Sequence, residues 1–533
     1  MHQDPLTRIA ELETLIRQKD IQLSLNSKTE AELRYALQLA EEKATEHEQE
    51  TEELRAQLDK LRRMLFGSRS EKLRQQKAAL EDKLNALEQK DDEHGEREND
   101  PPLPRQLRQP RKRRPFPLHL PREINRLEPA ETCCPECGGR LAYLGEDSAE
   151  QLEILSAALK VINTIREKHA CVKCDCIVQA AAPSRPIERG IAGKGLLAWM
   201  LISKYNDHLP LNRLSEMLSR QGIQLSRSLL SGWVEASCRL LDPLDEALYH
   251  YVMSAYTLHA DETPVQVQSP GKSKTQRSYV WTYVRDERPA GGLSPPAVWF
   301  AWGAGRHGKY AEEHLSGFRG KVLQVDGYAG YNSQFTLQRE SGPPLKRAGC
   351  MAHARRKIYD IWINARTNPT LMQVMKLIKE LYVTEAEMRG QSAECRLAVR
   401  QEKSLPLMMS LKELIDEKQK TLSKKSRLSK AFTYIENHWD ALCCYCHDGH
   451  VEIDNNAAER AIRTVAVGRK NWLFFGSAQG GERGAMLYSL LGTCKLNGIN
   501  PEAWLRYVLG VLPDWPSNRV NELLPWNVDL TSM

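Results

Sequence analysis

The sequence predicts a multidomain α+β protein: a leucine-seamed helical start, a small cysteine-rich module, a helical domain, and a mixed sheet whose chain is interrupted by a long helical insertion. Three observations carry that prediction. Leucines recur at alternating four- and three-residue steps within residues 1–90, two Cys-x-x-Cys pairs follow, and beyond residue 250 the texture changes to short β-branched and aromatic runs before returning to helix. At 533 residues the chain exceeds a single core, and one domain per about 150 residues gives about three or four domains.

Residues 1–90 are rich in Glu, Lys, Gln, Leu and Ala, and Leu54, Leu58, Leu61 and Leu65 set a heptad seam that Leu80, Leu84 and Leu87 resume after Phe66-Gly67-Ser68. A seam of this kind buries apolar area against a partner helix, which predicts a coiled coil through which the chain self-associates; a helix folded back on its own protein is the blander reading. Residues 91–131 combine an acidic stretch, several prolines and the basic run Arg105, Arg108, Arg111, Lys112, Arg113, Arg114. They read as a flexible linker, with Arg111, Lys112, Arg113 and Arg114 neutralising phosphates of a nucleic acid whatever its sequence. Residues 1–20 carry charges throughout, and the longest uninterrupted apolar run, 196–202, is far below the roughly 20 residues that span a bilayer. A cytoplasmic protein without a membrane span is expected, nucleoid-associated when bound to DNA.

In a reduced compartment, closely spaced cysteines read as metal ligands rather than disulfides. Cys134-Pro-Glu-Cys137 and Cys171-Val-Lys-Cys174 are separated by 33 residues. Each pair places two thiolates on one tight turn, and two such turns make a closed tetrahedral site for one structural zinc, which defines a module over residues 132–185. The long gap requires structure of its own, expected as strands around residues 152–166, and Cys133 and Cys176 are near enough to compete as ligands. Residues 186–250 read as helices, with a Gly222 turn and a second helix capped by Ser226 and running through Leu229, Leu230 and Trp233. Helix, short glycine turn, helix is the pattern of a helix-turn-helix DNA reader, and also of many small helical domains.

Residues 256–267, 278–285 and 297–302 predict three consecutive strands, followed by a helix at 307–318, a fourth strand at 321–326 and a fifth at 345–350. Three strands, a helix and a further strand is the order of a ribonuclease H-like fold. In that order Asp261 lies within the first strand and Asp326 at the end of the fourth, its neighbour. A third acid, Glu459, lies on a helix beginning near Asp454, Asn455 and Asn456. The spacings are 326 − 261 = 65 and 459 − 326 = 133 residues, the second filled by helical sequence. The catalytic domain therefore comprises residues 251–354 and 447–490, with a helical insertion at 355–446 and a C-terminal segment at 491–533. Three converging carboxylates suit hard divalent cations such as Mg2+ or Mn2+. Singly, each acid has a plain structural role: Asp261 and Asp326 in turns, Glu459 paired with Arg463. Arg460, Arg463, Arg469 and Lys470 are candidate DNA phosphate contacts.

The stretches His259-Ala-Asp-Glu-Thr-Pro264, Gln324-Val-Asp-Gly-Tyr328, Cys350-Met-Ala-His-Ala-Arg-Arg356, Asp454-Asn-Asn-Ala-Ala-Glu-Arg460, Gly468-Arg-Lys-Asn471 and Asn521-Glu-Leu-Leu-Pro-Trp526 closely resemble the large transposase of the insertion-sequence 66 family. The resemblance extends over nearly the whole chain, including both Cys-x-x-Cys pairs, and departs locally at the doubled Cys133-Cys134. It implies a DDE-type enzyme that cuts and joins DNA strands, with Asp261, Asp326 and Glu459 on the acidic positions, two Mg2+ or Mn2+ per site, and Cys350 with His353 as a Cys-x-x-His element. His353 is expected to donate a proton or position the scissile phosphate. The implied partners are double-stranded DNA, as terminal inverted repeats and as target, and small accessory proteins of the same element. The competing readings are a non-catalytic zinc and helix-turn-helix regulator, which leaves the acids without a role, and a ribonuclease H-like nuclease that cuts without joining.

Overall fold

The structure, a computed structural model, describes residue 116 and residues 120–530 apart from 156–157, 269–273, 337 and 340–341. The expected coiled coil of residues 1–90, most of 91–131, and Arg111, Lys112, Arg113 and Arg114 lie outside the described residues. The described residues form a mixed α/β structure with two sheets. No helix among the described residues is long and apolar enough to cross a membrane.

The first sheet comprises β1 (Arg122–Leu127), β2 (Leu141–Leu155), β3 (Ala158–Cys171) and β4 (Ile177–Gln179). β2 and β3 form one long antiparallel hairpin from Leu141↔Cys171 to Leu155↔Ala158, so the gap between the cysteine pairs is a ribbon longer than the strands expected there. β1 pairs in parallel with β3, which corrects the linker assigned to 91–131. This strand has a mostly exposed face with no apolar alternation, and ion pairs hold it: Arg122 to Glu150 at 3.2 Å and Arg126 to Glu167 at 2.8 Å. At the far end of the ribbon the buried Glu153 carboxylate accepts the Leu196 amide at 2.7 Å. That places a negative charge at the N-terminus of α1 (Lys194–Tyr205), where the helix dipole stabilises it.

α2 (Leu211–Arg220) and α3 (Arg227–Met253) follow. The chain turns at Gly222, whose φ of +79° favours glycine, and Ser226 accepts the Leu229 amide at 3.2 Å as the cap of α3. α3 has 27 residues, longer than the motif expected, and buries Leu230, Trp233, Leu241, Leu248 and Val252 along one stripe.

The second sheet has β5 (Thr257–Val267), β6 (Gln276–Arg285), β7 (Ala297–Gly303), then α4 (Gly308–His314), β8 (Val322–Gln324) and β9 (Lys346–Ala348). Its spatial order is β7-β6-β5-β8-β9. The first three strands are antiparallel, while β8 runs parallel to β5 and β9 parallel to β8.

Between β9 and residue 447 the chain is helical. Its helices are α5 (Met351–Trp362), α6 (Pro369–Glu387), α7 (Ala393–Val399), α8 (Leu405–Gln419) and α9 (Arg427–Asn437), of which α5, α6, α8 and α9 bury an apolar cluster of their own, including Ile358, Ile378, Leu411 and Phe432. The chain then returns as α10 (Asn456–Trp472), α11 (Ala478–Leu496) and α12 (Pro501–Val511).

α11 covers β7, the sheet's edge. Ser489 accepts the Phe300 amide at 2.7 Å and Thr493 accepts the Val298 amide at 3.1 Å, so edge groups that would otherwise invite another strand are satisfied. This corrects the boundary placed at 490/491, which cuts a helix belonging to the sheet. Two polar side chains facing a strand break the apolar stripe that would have extended that helix in the sequence.

Candidate active site

The offset of 65 residues between Asp261 and Asp326 is the register of the parallel ladder. Thr257, Leu258 and His259 face Val322, Leu323 and Gln324, and both acids lie two residues further along. Asp261 therefore sits level with Asp326, on strands about 4.8 Å apart. Side chains alternate along β5, so Asp261 shares a face with His259 and Thr263. That is the face covered by α10: His259 Nδ1 lies 3.2 Å from Asn455 Oδ1, and Arg469 donates to Thr263 Oγ1 at 3.0 Å and to the Pro264 carbonyl at 2.5 Å.

Glu459 comes to this face because two buried amides clamp the start of its helix. Asn455 Nδ2 donates to the Ala260 carbonyl at 2.8 Å, and the Asn455 backbone amide lies 3.2 Å from Cys350 Sγ. Three residues earlier, Gln324 Nε2 donates to the Glu452 carbonyl at 2.6 Å and Gln324 Oε1 accepts the Glu452 amide at 3.3 Å. The N-cap position of this helix is Asn455, whose side chain is turned to the sheet and makes no capping bond, while the preceding Asp454 carboxylate accepts the Asn456 amide at 3.1 Å. Removing that clamp leaves buried groups unsatisfied. We expect Asn455→Ala to lower stability by about 2–3 kcal/mol, measured by urea unfolding, with a larger proportional loss of any chemistry that needs Glu459 beside Asp261.

Burial pushes the Asp261 carboxyl up to about 7, and the charges of Glu262, Asp326 and Glu459 act in the same direction, against the amide that Glu262 donates to it at 2.8 Å. Asp326 accepts the Tyr328 amide at 2.8 Å. Among the described residues no lysine or arginine forms an ion pair with Asp261 or Asp326. Glu459 lies 3.5 Å from His353 Nδ1, and the two group with Cys350 within 4.8 Å. The Glu459–Arg463 pair, the plain structural alternative for this acid, is not formed among the described residues. Burial raises the Cys350 thiol to about 12. Carboxylates near enough to act on one another, with Arg306 and Arg347 reaching Asp326 only at longer range, fit oxygen-preferring dications.

Sequence reasoning missed Glu262. It lies on the opposite face of β5, where its carboxylate is buried and accepts from Arg306 Nε at 2.7 Å and Tyr331 Oη at 2.9 Å; Arg306 in turn stacks 3.7 Å over the Tyr328 ring. The signal was available, because the adjacent acids Asp261 and Glu262 must point to opposite faces of a strand. Glu452 and Asp454 are engaged elsewhere, by Arg396 and by Tyr382. Arg460, Arg463 and Lys470 are exposed, whereas Arg469 is partly buried and tied to β5.

At the base of the β2–β3 ribbon, Cys134, Cys137, Cys171 and Cys174 converge. The Sγ atoms of Cys134 and Cys174 are 3.3 Å apart and those of Cys137 and Cys171 are 3.5 Å apart, near the about 3.8 Å edge of a tetrahedral zinc–thiolate site. Each pair sits in a turn with a left-handed residue, Gly138 at φ +66° and Asp175 at φ +57°. Burial would raise the Cys134 thiol, but the amides of Cys137 and Glu136 outweigh it and bring it down to about 6. These four residues fit one structural zinc. Cys133 is exposed, and Cys176 contributes its carbonyl to the Cys171 amide at 2.8 Å; neither joins the cluster.

A profile described as "Transposase IS66 family" matches residues 189–483, and the family's C-terminal element matches 489–526. The zinc-finger binding domain of transposase IS66 matches 131–175, and "Transposase C of IS166 homeodomain" matches 53–124, a region largely outside the described residues. Among curated relatives from Sinorhizobium fredii (strain NBRC 101917 / NGR234), the uncharacterized protein y4hP is 40% identical over 425 residues, covering 78% of this chain and 76% of that one. The uncharacterized protein y4qI is 37% identical over 477 residues, covering 88% and 87%. With more than half its length matched by the family profile and relatives of this extent, the chain belongs to the transposase IS66 family.

Proposed function

We propose that this chain cuts DNA at the ends of its insertion sequence and joins the freed 3′-hydroxyl to target DNA, with Asp261, Asp326 and Glu459 holding two Mg2+ or Mn2+ in a ribonuclease H-like domain. The observation that supports the reading is that Asp326 and Glu459 lie near enough for their charges to act on the Asp261 carboxyl, in a sheet ordered β7-β6-β5-β8-β9 and, among the described residues, with no lysine or arginine ion-paired to either aspartate. Bound there, the ion pair would activate the attacking oxygen and stabilise the leaving one, without a covalent protein intermediate. The residues of the chain supply position: the β5–β8 register sets the two aspartates, Asn455 and Gln324 set Glu459, and His353, its Nδ1 3.5 Å from the Glu459 carboxylate, donates a proton or positions the scissile phosphate. Arg460, Arg463 and Lys470 take DNA phosphates. Residues 355–446 act as a helical insertion between the two parts of the domain, and residues 186–250 as a helix-turn-helix reader. Residues 1–90, outside the described residues, mediate self-association, and small accessory proteins of the element complete the assembly.

The test is a strand-transfer assay with labelled element ends and a target plasmid. Joined products dependent on Mg2+ or Mn2+ support the reading. Cut but unjoined ends would point to a nuclease, and binding without either reaction to a regulator.

A further inference from the structure

The exposed face of α10 leads from Glu459 to an apolar tip. Arg460, Arg463, Val467 and Lys470 recur at helical spacing and are all exposed. Among the described residues no acid pairs with Arg460, Arg463 or Lys470, so the stripe carries uncompensated positive charge. It ends in Leu473, 65% exposed, and Phe474, 41% exposed, with Val467 at 43% beside them. Large apolar side chains held out into water need a reason, and this pair is held rigidly. Leu473 adopts φ 62° and ψ −46°, a conformation that leucine keeps only when its surroundings impose it.

The surroundings do so from both sides. Trp472 and Phe475 pack ring to ring at 4.5 Å. Phe475 is stitched to the end of β5 through Gln266 and Gln268, each at 2.8 Å, and Arg469 ties the last turn of α10 to Thr263 and Pro264. The two residues between these anchors therefore project as a fixed tip rather than a loose loop.

We propose that Leu473 and Phe474 form an apolar wedge that enters and unstacks one base step of the duplex lying along Arg460, Arg463 and Lys470. The proposal rests on the transposase reading above. Charge complementarity selects DNA as the occupant, since phosphates would line the cationic stripe while the tip meets the bases. Leu473 lies 14 residues beyond Glu459, about 20 Å along the helix, so the unstacked step falls roughly six base pairs from the scissile phosphate.

The experiment uses the full-length chain and element-end duplexes with 2-aminopurine at successive positions, without added magnesium so that the DNA stays uncut. The expected result is a several-fold fluorescence rise at one step. Leu473→Gly, which also relieves the backbone strain, and Phe474→Ala should return that step to the level of its neighbours, while affinity falls by less than about tenfold because phosphate contacts remain. A chain that binds and joins ends but produces no rise, or whose rise survives both substitutions, overturns the wedge and leaves the transposase reading intact. A change of oligomeric state in both variants without DNA would mean that the tip packs on another copy, and would overturn it too. A wild-type chain that joins no ends overturns the reading and the wedge together.

Discussion

Glu459→Gln should lower cleavage and joining by at least about a thousandfold, roughly 4 kcal/mol of transition-state stabilisation, while duplex binding stays within a few-fold of the unmodified chain. Glutamine preserves size and hydrogen bonding, so the Asn455 clamp and the helix it starts are kept. What is lost is one negative charge from a site proposed to hold two dications. Duplex binding survives because it draws on cations such as Arg460, Arg463 and Lys470, whose contacts are with phosphates. Asp261→Asn and Asp326→Asn should behave alike, and combining the three should add little, since residues acting as one unit are strongly non-additive. A Glu459→Gln chain that joins DNA at the unmodified rate would leave Glu459 as a partner of His353 alone.

Replacing Cys137 and Cys174 together by serine should remove the zinc, about one ion per chain, and unfold the base of the β2–β3 ribbon. The four sulfurs are that region's main source of order, because its strands carry exposed, charged side chains and thiolate ligation supplies folding free energy outright. The far end of the ribbon should persist, held by Leu152 in the core and by Glu153 at the start of α1. Metal analysis and limited proteolysis together check this. Full zinc retention in the double variant would refute the ligand set, and unchanged proteolysis would show that the ribbon stands without metal.

How much of this was legible in the sequence follows from the kind of signal each feature leaves. Strands β5 to β7 are β-branched and aromatic runs buried over most of their length and announce themselves; so do paired cysteines, and so does an offset of 65 residues once two parallel strands are placed. β1 was read as linker because its side chains pair by charge rather than by burial. The clamps formed by Asn455 and Gln324 were invisible because a buried amide leaves no periodic trace; it is recognised only when its partners, 195 residues away at Ala260 and 128 away at Glu452, are in place. The same holds for Ser489 and Thr493, polar residues whose purpose is a strand edge. The acids were picked out by their positions in the strand order, but the means of bringing Glu459 back across the helical insertion was not legible.

The most direct measurement is Mn2+ binding by electron paramagnetic resonance on the full-length chain in complex with an element-end duplex. The account predicts two bound Mn2+ per active site, spin-coupled as expected for ions about 4 Å apart, both lost in the Asp261→Asn, Asp326→Asn, Glu459→Gln triple variant while the duplex remains bound. Unchanged Mn2+ stoichiometry and coupling in that variant would contradict it.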